Sequence, residues 1–384
     1  MCKAAVAATI STLVLLASGG ASFVAASSGP MVLTTSTTLT EAHTGNIVIP
    51  SKGVTLDCAG HTISGPDAGG ESGGIVVAWA SDVTIKGCVV SGFGVNGIYA
   101  IGSPGLRLDG NTVSGNAAAG MWLEAVAGAS VVGNTVRDSG DHGIVLLDSS
   151  RATIEKNSVS GNATVGLLMI RTTRSTIHSN TTSGNGEGIV LESSSKAQVL
   201  SNTASGNRLA GGAGVGIWVR DGSTGNVVRG NAANDNAQFG VFVLDADANT
   251  IEANTANGNV LLGFAFQEAV GNTVAGNRAD SNGAAGFHLC CSSHANTVRN
   301  NVSTQNGLEG FQIDSSDRDL LVANIARGNR ESGFVIGAGN GGVIAGNTSE
   351  GNVLRGFDVG SSSHNRFTGN VATGNGAGGG DGFF

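Results

Sequence analysis

The sequence predicts an all-β protein, a single solenoid of parallel strands wound into about 14 coils of about 23 residues. Three observations predict it. The first is a pair of asparagines five residues apart, N-x-x-x-x-N. It stands at Asn111/Asn116, Asn157/Asn162, Asn180/Asn185, Asn202/Asn207, Asn231/Asn236 and Asn254/Asn259, and runs on through Asn277/Asn282 and Asn301/Asn306 to Asn370/Asn375. Asn134 opens one more copy, whose second place is Ser139. Copies step by 23 residues, apart from single steps of 22, 29 and 24. The second observation keeps the same beat: a glycine, an apolar residue, any residue and a mostly apolar one, as in GIVL from Gly143, GIWV from Gly216 and GFQI from Gly310. The third is a short run just ahead of the first asparagine, as in ATIEKN (152–157) and NTIEAN (249–254).

Each element follows from these marks. Residues 1–26 read as a secretory leader, with Lys3 as the positive start, an apolar run from Ile10, and Val24-Ala25-Ala26 as a cleavage site before Ser27. Residues 27–39 form a lead-in, and residues 40–384 form the wound domain. Within each period, three short runs alternate with a period of two and are separated by Gly, Asn, Ser and Asp, which reads as strand and turn. No stretch carries a 3.6-residue apolar period. Three short strands cannot bury a face alone, but stacked turns can, with coils about 4.8 Å apart. Alternation sends the residue after each glycine inward. That place is held by Ile75, Ile98, Met121 and Ile144 early in the chain, and by Phe264, Phe287, Phe311, Phe334 and Phe357 late. Asparagine suits a corner repeated on every coil. It tolerates left-handed backbone, and its side chain can bond local backbone or an asparagine above and below. The ladders are therefore read as structural.

The GNTVSGN…GIxL coils and the entry segment VTLDCAGHTISG (54–65) resemble the right-handed parallel β-helix repeat proteins. That superfold holds pectate lyases, polygalacturonases, alginate epimerases and periplasmic NosD-type proteins. The resemblance spans residues 40 to 384 and implies a right-handed winding. No short catalytic motif associated with the polygalacturonases or alginate epimerases stands whole in this chain.

Composition narrows the function. Twenty basic residues against 28 acidic ones give a net charge of −8, and loss of Lys3 with the leader takes it to −9. This excludes a nucleic-acid groove, and no basic stripe is present. After the leader no segment is long enough to span a membrane, so the chain is expected to be secreted, to the periplasm or the exterior. An oxidising compartment permits a disulfide. Cys58 and Cys88 stand at equivalent turns of the first two coils and are expected to pair.

Chemistry is expected on the outer face of the strand that follows each glycine. Two places after the glycine the sequence reads Tyr99, Trp122, Val145, Leu168, Val190, Trp218, Phe242, Ala265 and His288. Aromatic faces bind the C–H faces of sugars, so Tyr99, Trp122, Trp218, Phe242 and His288 are candidate polysaccharide-binding residues. The alternative is a strip covered by a loop, by the N-terminal segment or by a second copy in self-association. Further along lie Arg220 and Asp221, then Asp245 and Glu268 on the next two coils. Stacked carboxylates repel and raise a pKa unless a cation sits among them. They could serve as a glycosidase pair, or hold calcium with Arg220 beside it, as the resemblance to β-helix lyases implies. The insertion RLAGGAG (208–214) falls beside them. An enzyme here would be a polysaccharide lyase or a glycoside hydrolase. The rivals are a non-catalytic structural or adhesive surface module, and a NosD-like metal-handling protein using His288, Cys290, Cys291 and His294. Asp141-His142 is a weaker catalytic candidate. Asp148 and Arg171, at equivalent places on adjacent coils, are expected to form a surface ion pair.

Overall fold

The computed structural model describes residues 22–24, 27–65, 73–208, 214–376 and 382. They hold strands and no helix, so none that could cross a membrane. Each coil lays down three strands in turn, for example Thr153–Glu155, Ser158–Ser160 and Val165–Ile170. Stacking makes three sheets, named here A, B and C in that order. Sheet A has 16 strands and sheet C has 15, while sheet B runs as 9 and then 6. The break in sheet B falls where Ala232 makes only single bridges, to Thr203 and Thr255. Neighbouring coils pair in parallel and in register, as in Ile144↔Leu167 and Val113↔Val136. The architecture is the right-handed parallel β-helix, its parallel coils as the repeat predicts and its hand as the family resemblance implies. Winding starts ahead of residue 40: Met31–Val32 pairs with Ile47–Ile49, and Ser22–Val24 pairs with Thr37–Leu39. The rest of the segment read as a leader lies outside the described residues.

The asparagines hold the corners, but they do not make the bend. The left-handed residue is the one before each of them: Gly110, Lys156, Ser179 and Ala253 have φ of 61, 54, 56 and 54°. None of the ladder asparagines has a positive φ. The preceding residue turns the chain, and the asparagine is left free to send its amide inward. There the polar atoms of the first ladder find partners. Asn231 Nδ2 donates to Asn254 Oδ1 at 2.9 Å and to the Val199 carbonyl at 2.8 Å. The same Oδ1 accepts the Asn231 backbone N–H at 2.9 Å. An amide offers two donors and two acceptor sites, and this geometry uses all four. The first ladder runs unbroken from Asn111 to Asn370. A third ladder, not foreseen, precedes sheet A through Asn226, Asn249, Asn272 and Asn296 and ends on Asp319.

Inside, the residue after each glycine is fully buried on every coil. Phe264, Phe287, Phe311, Phe334 and Phe357 stack with centroids 4.7–4.8 Å apart and planes within 7°. The facing place in sheet B changes with them. On the early coils, where sheet C carries Ile98, Met121, Ile144 and Leu167, sheet B carries Val90, Val113, Val136 and Val159. Where sheet C carries Phe, sheet B carries Ala256, Ala279, Ser303 and Ala326. The large phenyl rings thus stand with small residues, while the middle coils carry Ile189, Ile217 and Val241 with Thr182, Ala204 and Ala233, all buried. The glycine opening each sheet C strand is required by the same crowding, since a Cβ at Gly310 would come 2.6 Å from the Gly333 carbonyl oxygen. Cys58 and Cys88, both buried, are joined, with Cα atoms 4.7 Å apart. Arg171 and Asp148 form a two-pronged pair at 2.7 and 2.9 Å, exposed and so of little weight.

Two ladder faults are testable. At Ser139 the second ladder loses its amide, and Asn116 Nδ2 is buried with no partner. Ser139→Asn restores an acceptor there and should stabilise by about 1 kcal/mol, read as a higher unfolding midpoint. At Asp319, burial raises the carboxyl pKa against the opposing hydrogen bonds from Ser316 and Asn296. A carboxyl with a raised folded pKa stabilises while protonated and loses that stability as pH rises through its folded value. Asp319→Asn should therefore raise the unfolding midpoint at pH 7, and by progressively less toward pH 3.

Candidate functional site

Sheet C presents the most developed outer face. Its strands are four residues long over most of the rod, but six on four successive coils: Val165–Ile170, Glu187–Glu192, Val215–Arg220 and Phe239–Leu244. At the glycine the simple alternation slips, because the glycine's missing side chain faces the interior. A Cβ on Gly143 would meet Val159 Cγ1 and Asn162 Nδ2. The residue before the glycine therefore also faces out. The outer face has three columns: before the glycine, two after it and four after it.

The strip expected as an open platform is partly closed. Val145 and Val190 are 0% exposed, and they pack with Val165 and Leu168 beneath Trp122, Leu147, Ile170 and Trp218. Phe242, at 9% exposure, lies in a second outer cluster with Val215 and Ala265. It supports Trp218 (ring centroids 5.4 Å apart, planes at 19°) and does not itself offer a face. The burial follows from apolar side chains on neighbouring coils closing over one another. Tyr99, Trp122, Trp218 and His288 are half-buried. Tyr99 and Trp122 are direct partners on adjacent strands. One coil earlier Trp79 is 75% exposed at a corner with φ 56°, its ring lying over Gly102. Sequence reasoning missed Trp79 because it lies beyond the counted columns.

A polar knot interrupts the apolar face around Arg220. Its Nη2 donates to Glu192 Oε2 at 2.8 Å, its Nε is 3.4 Å from Asp221 Oδ2, and its guanidinium carbon lies 4.5 Å from the Trp218 ring centre. Trp218 Nε1 is buried without a hydrogen-bond partner. Glu187, in the column before the glycine, has its carboxyl pKa raised by burial, against the pull of Arg220. His142, in the same column, has its pKa lowered by burial, against Asp141. Thr164 Oγ1 joins Asp141 Oδ1 (2.8 Å) and His142 Nδ1 (2.6 Å). Glu187 and Glu192 were not singled out in the sequence. The slip at the glycine is the signal that would have found Glu187, whereas Glu192 stands four places after Gly188, in a column that alternation already counts.

The structure thus brings Trp218, Arg220 and Asp221 together. Asp221, Asp245 and Glu268 occupy one corner on three successive coils, each exposed and each with positive φ (54, 47 and 51°). They do not close into a calcium cage: among the described residues no group of three or more His, Cys, Asp or Glu side chains is placed to hold a metal ion. An outward corner splays successive side chains into solvent. Most of the insertion expected to wall this stretch (209–213) lies outside the described residues. His288 Nε2 is 3.7 Å from Asp314 Oδ2, and the sulfurs of Cys290 and Cys291 are paired with each other.

Family comparisons agree with the winding. The family described as "Right handed beta helix region" matches residues 73–233. The family described as "Periplasmic copper-binding protein (NosD)" matches residues 176–297 and 281–381, more than half of the chain. The protein belongs to the NosD family of right-handed β-helix proteins. No curated protein matches this NosD-family chain in sequence. Among solved structures it is similar to the A-module of an Azotobacter vinelandii mannuronan C-5 epimerase. They are 17% identical, the match covers 92% of this chain and 91% of that one, and the TM-score is 0.47. A periplasmic alginate epimerase double mutant is 14% identical, with 77% of each chain covered and a TM-score of 0.46. A pectate lyase is 13% identical, with 66% and 68% covered and a TM-score of 0.39.

Proposed function

We propose that this β-helix is an exported protein that binds a polysaccharide along the outer face of sheet C. The observation that carries the reading is the aromatic run at one end of that face. Trp79, Tyr99 and Trp122 stand on three consecutive coils and keep part or most of their surface open. Coils about 4.8 Å apart match the repeat of an extended sugar chain, and aromatic faces suit the C–H faces of its rings. Four coils further on, Arg220, Glu192 and Glu187 offer hydrogen-bonding groups beside Trp218. Asp221, Asp245 and Glu268 form an acidic rim that sugar hydroxyls can meet.

The copper in the family's description finds no fitting donors among the described residues. Met121 and Met169 are sealed in the core, Cys290 and Cys291 are paired, and His294 Nδ1 lies 3.1 Å from the Ser292 carbonyl oxygen of its own turn. The reading therefore routes nothing through copper.

The test is affinity electrophoresis of the protein from Ser27 onward in gels cast with soluble glycans. Retardation by at least one glycan is expected. Trp122→Ala should weaken it about tenfold, about 1.4 kcal/mol, with an unchanged far-ultraviolet spectrum. Migration indifferent to every glycan sinks the proposal and leaves a structural surface module in its place.

A further inference from the structure

The late coils carry a recess on the outer side of sheet B, reaching the corner where the chain turns toward sheet C. Strands Arg278–Asp280, Val302–Thr304 and Ile325–Arg327 lie side by side there, with Arg278 against Val302 and Val302 against Ile325. The half over the sheet encloses about 470 Å³ and the half over the corner about 550 Å³. The two halves meet at Gln305 and Gly328. Each is within the roughly 300–1,000 Å³ of small-ligand sites. Glycine keeps the corner open. A Cβ on Gly283 would strike the Val260 carbonyl oxygen, and one on Gly307 would strike that of Gly283. Gly328 has φ of 62°, a conformation that disfavours a side chain there too. The backbone itself leaves this corner hollow.

Floor and walls differ in chemistry. Val302 and Ile325, both half-buried, give an apolar floor. Three guanidinium groups stand around it, and two of them are taken up. Arg278 Nη2 lies 3.3 Å from Asp280 Oδ1 and donates to Thr304 Oγ1 at 3.3 Å. Arg327 holds Glu350 Oε2 at 2.8 and 2.9 Å. The third, Arg330, is exposed on the corner and has no ion pair or side-chain hydrogen bond among the described residues. Its neighbour Glu331 does not compensate it, since that carboxyl is engaged with Glu309. The Gln305 side-chain amide is likewise without a partner among the described residues. One carboxylate, Asp280, lines the recess, and Arg278 and Thr304 already hold it. On a chain of net charge −8 this is a locally cationic hollow.

We propose that this recess is a second carbohydrate site, which takes an acidic sugar unit with its carboxylate on Arg330. A guanidinium meets a carboxylate through two parallel N–H donors, and Arg330 has both to give. Gln305 supplies a donor and an acceptor for ring hydroxyls beside it. Val302 and Ile325 offer apolar surface to the C–H face of the ring. The site stands on a different face and on different residues from the sheet C reading. The two faces also differ in charge, since the acidic rim of Asp221, Asp245 and Glu268 repels the ligand that Arg330 attracts.

Fluorescently labelled tetragalacturonate, titrated at pH 7 with the protein from Ser27 onward and followed by anisotropy, tests the site. The fully methyl-esterified tetramer is the uncharged probe of equal length. The acid form should bind, and the ester should bind about tenfold more weakly. Arg330→Gln should weaken binding of the acid form about tenfold and Gln305→Ala about threefold, with Trp122→Ala within about twofold of the native protein. Both recess side chains are exposed, so these variants should keep the native far-ultraviolet spectrum. Absence of binding by the acid form overturns the proposal. So does equal binding of the ester, or affinity unchanged in Arg330→Gln. Loss in Trp122→Ala instead of Arg330→Gln overturns it too, and moves the acidic chain to sheet C. Uronate binding that follows Arg330, in a protein that no neutral glycan retards, leaves this inference standing and removes the sheet C reading.

Discussion

The asparagine amide is the interaction on which the rest of this structure depends. A parallel coil has corners where backbone groups point inward and no strand is present to meet them. Buried polar groups without partners cost about 1–3 kcal/mol each, and a rod of many coils multiplies that cost. One side chain solves it at every turn. Asn254 takes two hydrogens from Asn231 through one oxygen, and gives its own to Asn277 and to the Val228 carbonyl. The ladder also fixes register. A coil shifted by one residue would strand an amide in the core, so the inward columns are pinned along with the corner.

With register pinned, the interior becomes a problem in area alone. Early coils meet it with Ile, Met and Leu in sheet C beside Val in sheet B, and late coils with Phe beside Ala and Ser. The stacked phenyl rings lie nearly parallel, with centroids 4.7 Å apart, because the coil spacing falls within the range that offset aromatic stacking prefers. The outer face of sheet C then inherits a regular lattice, on which the chain sets aromatic side chains at one end and a polar knot around Arg220.

The repeat, the parallel stacking and the inward ladder from Ile75 to Phe357 were legible in the sequence, because each repeats at a fixed spacing. So was the pairing of Asp148 with Arg171, which needed only equivalent places on adjacent coils. Two things were not. The left-handed residue was assigned to the asparagine, whereas it is the residue before it, whose identity varies freely among Gly, Lys, Ser and Ala. The outer columns were counted by strict alternation, which fails at the glycine. That one slip hid Glu187, and it left Trp218 and Arg220 as the visible part of its knot. Asp221, Asp245 and Glu268 did stack as counted, but an outward corner carries side chains apart from the face where the other polar groups gather.

The split in sheet B has a mechanical meaning. Elsewhere each coil is tied to the next by three ribbons of hydrogen bonds, so a tensile load along the rod is shared three ways. Around Ala232 one backbone bond of the sheet B ribbon on either side gives way to a side chain: the Asn234 N–H donates to Ser205 Oγ at 3.2 Å, and the Asn257 N–H to Asn234 Oδ1 at 2.9 Å. A rod pulled from its ends distributes force evenly until it reaches its least-tied coil, and here that coil also follows the 29-residue step in the repeat. Under tension the protein has a built-in weak seam near its middle, dividing an aliphatic-cored segment from a phenylalanine-cored one. Each of those could yield as a unit.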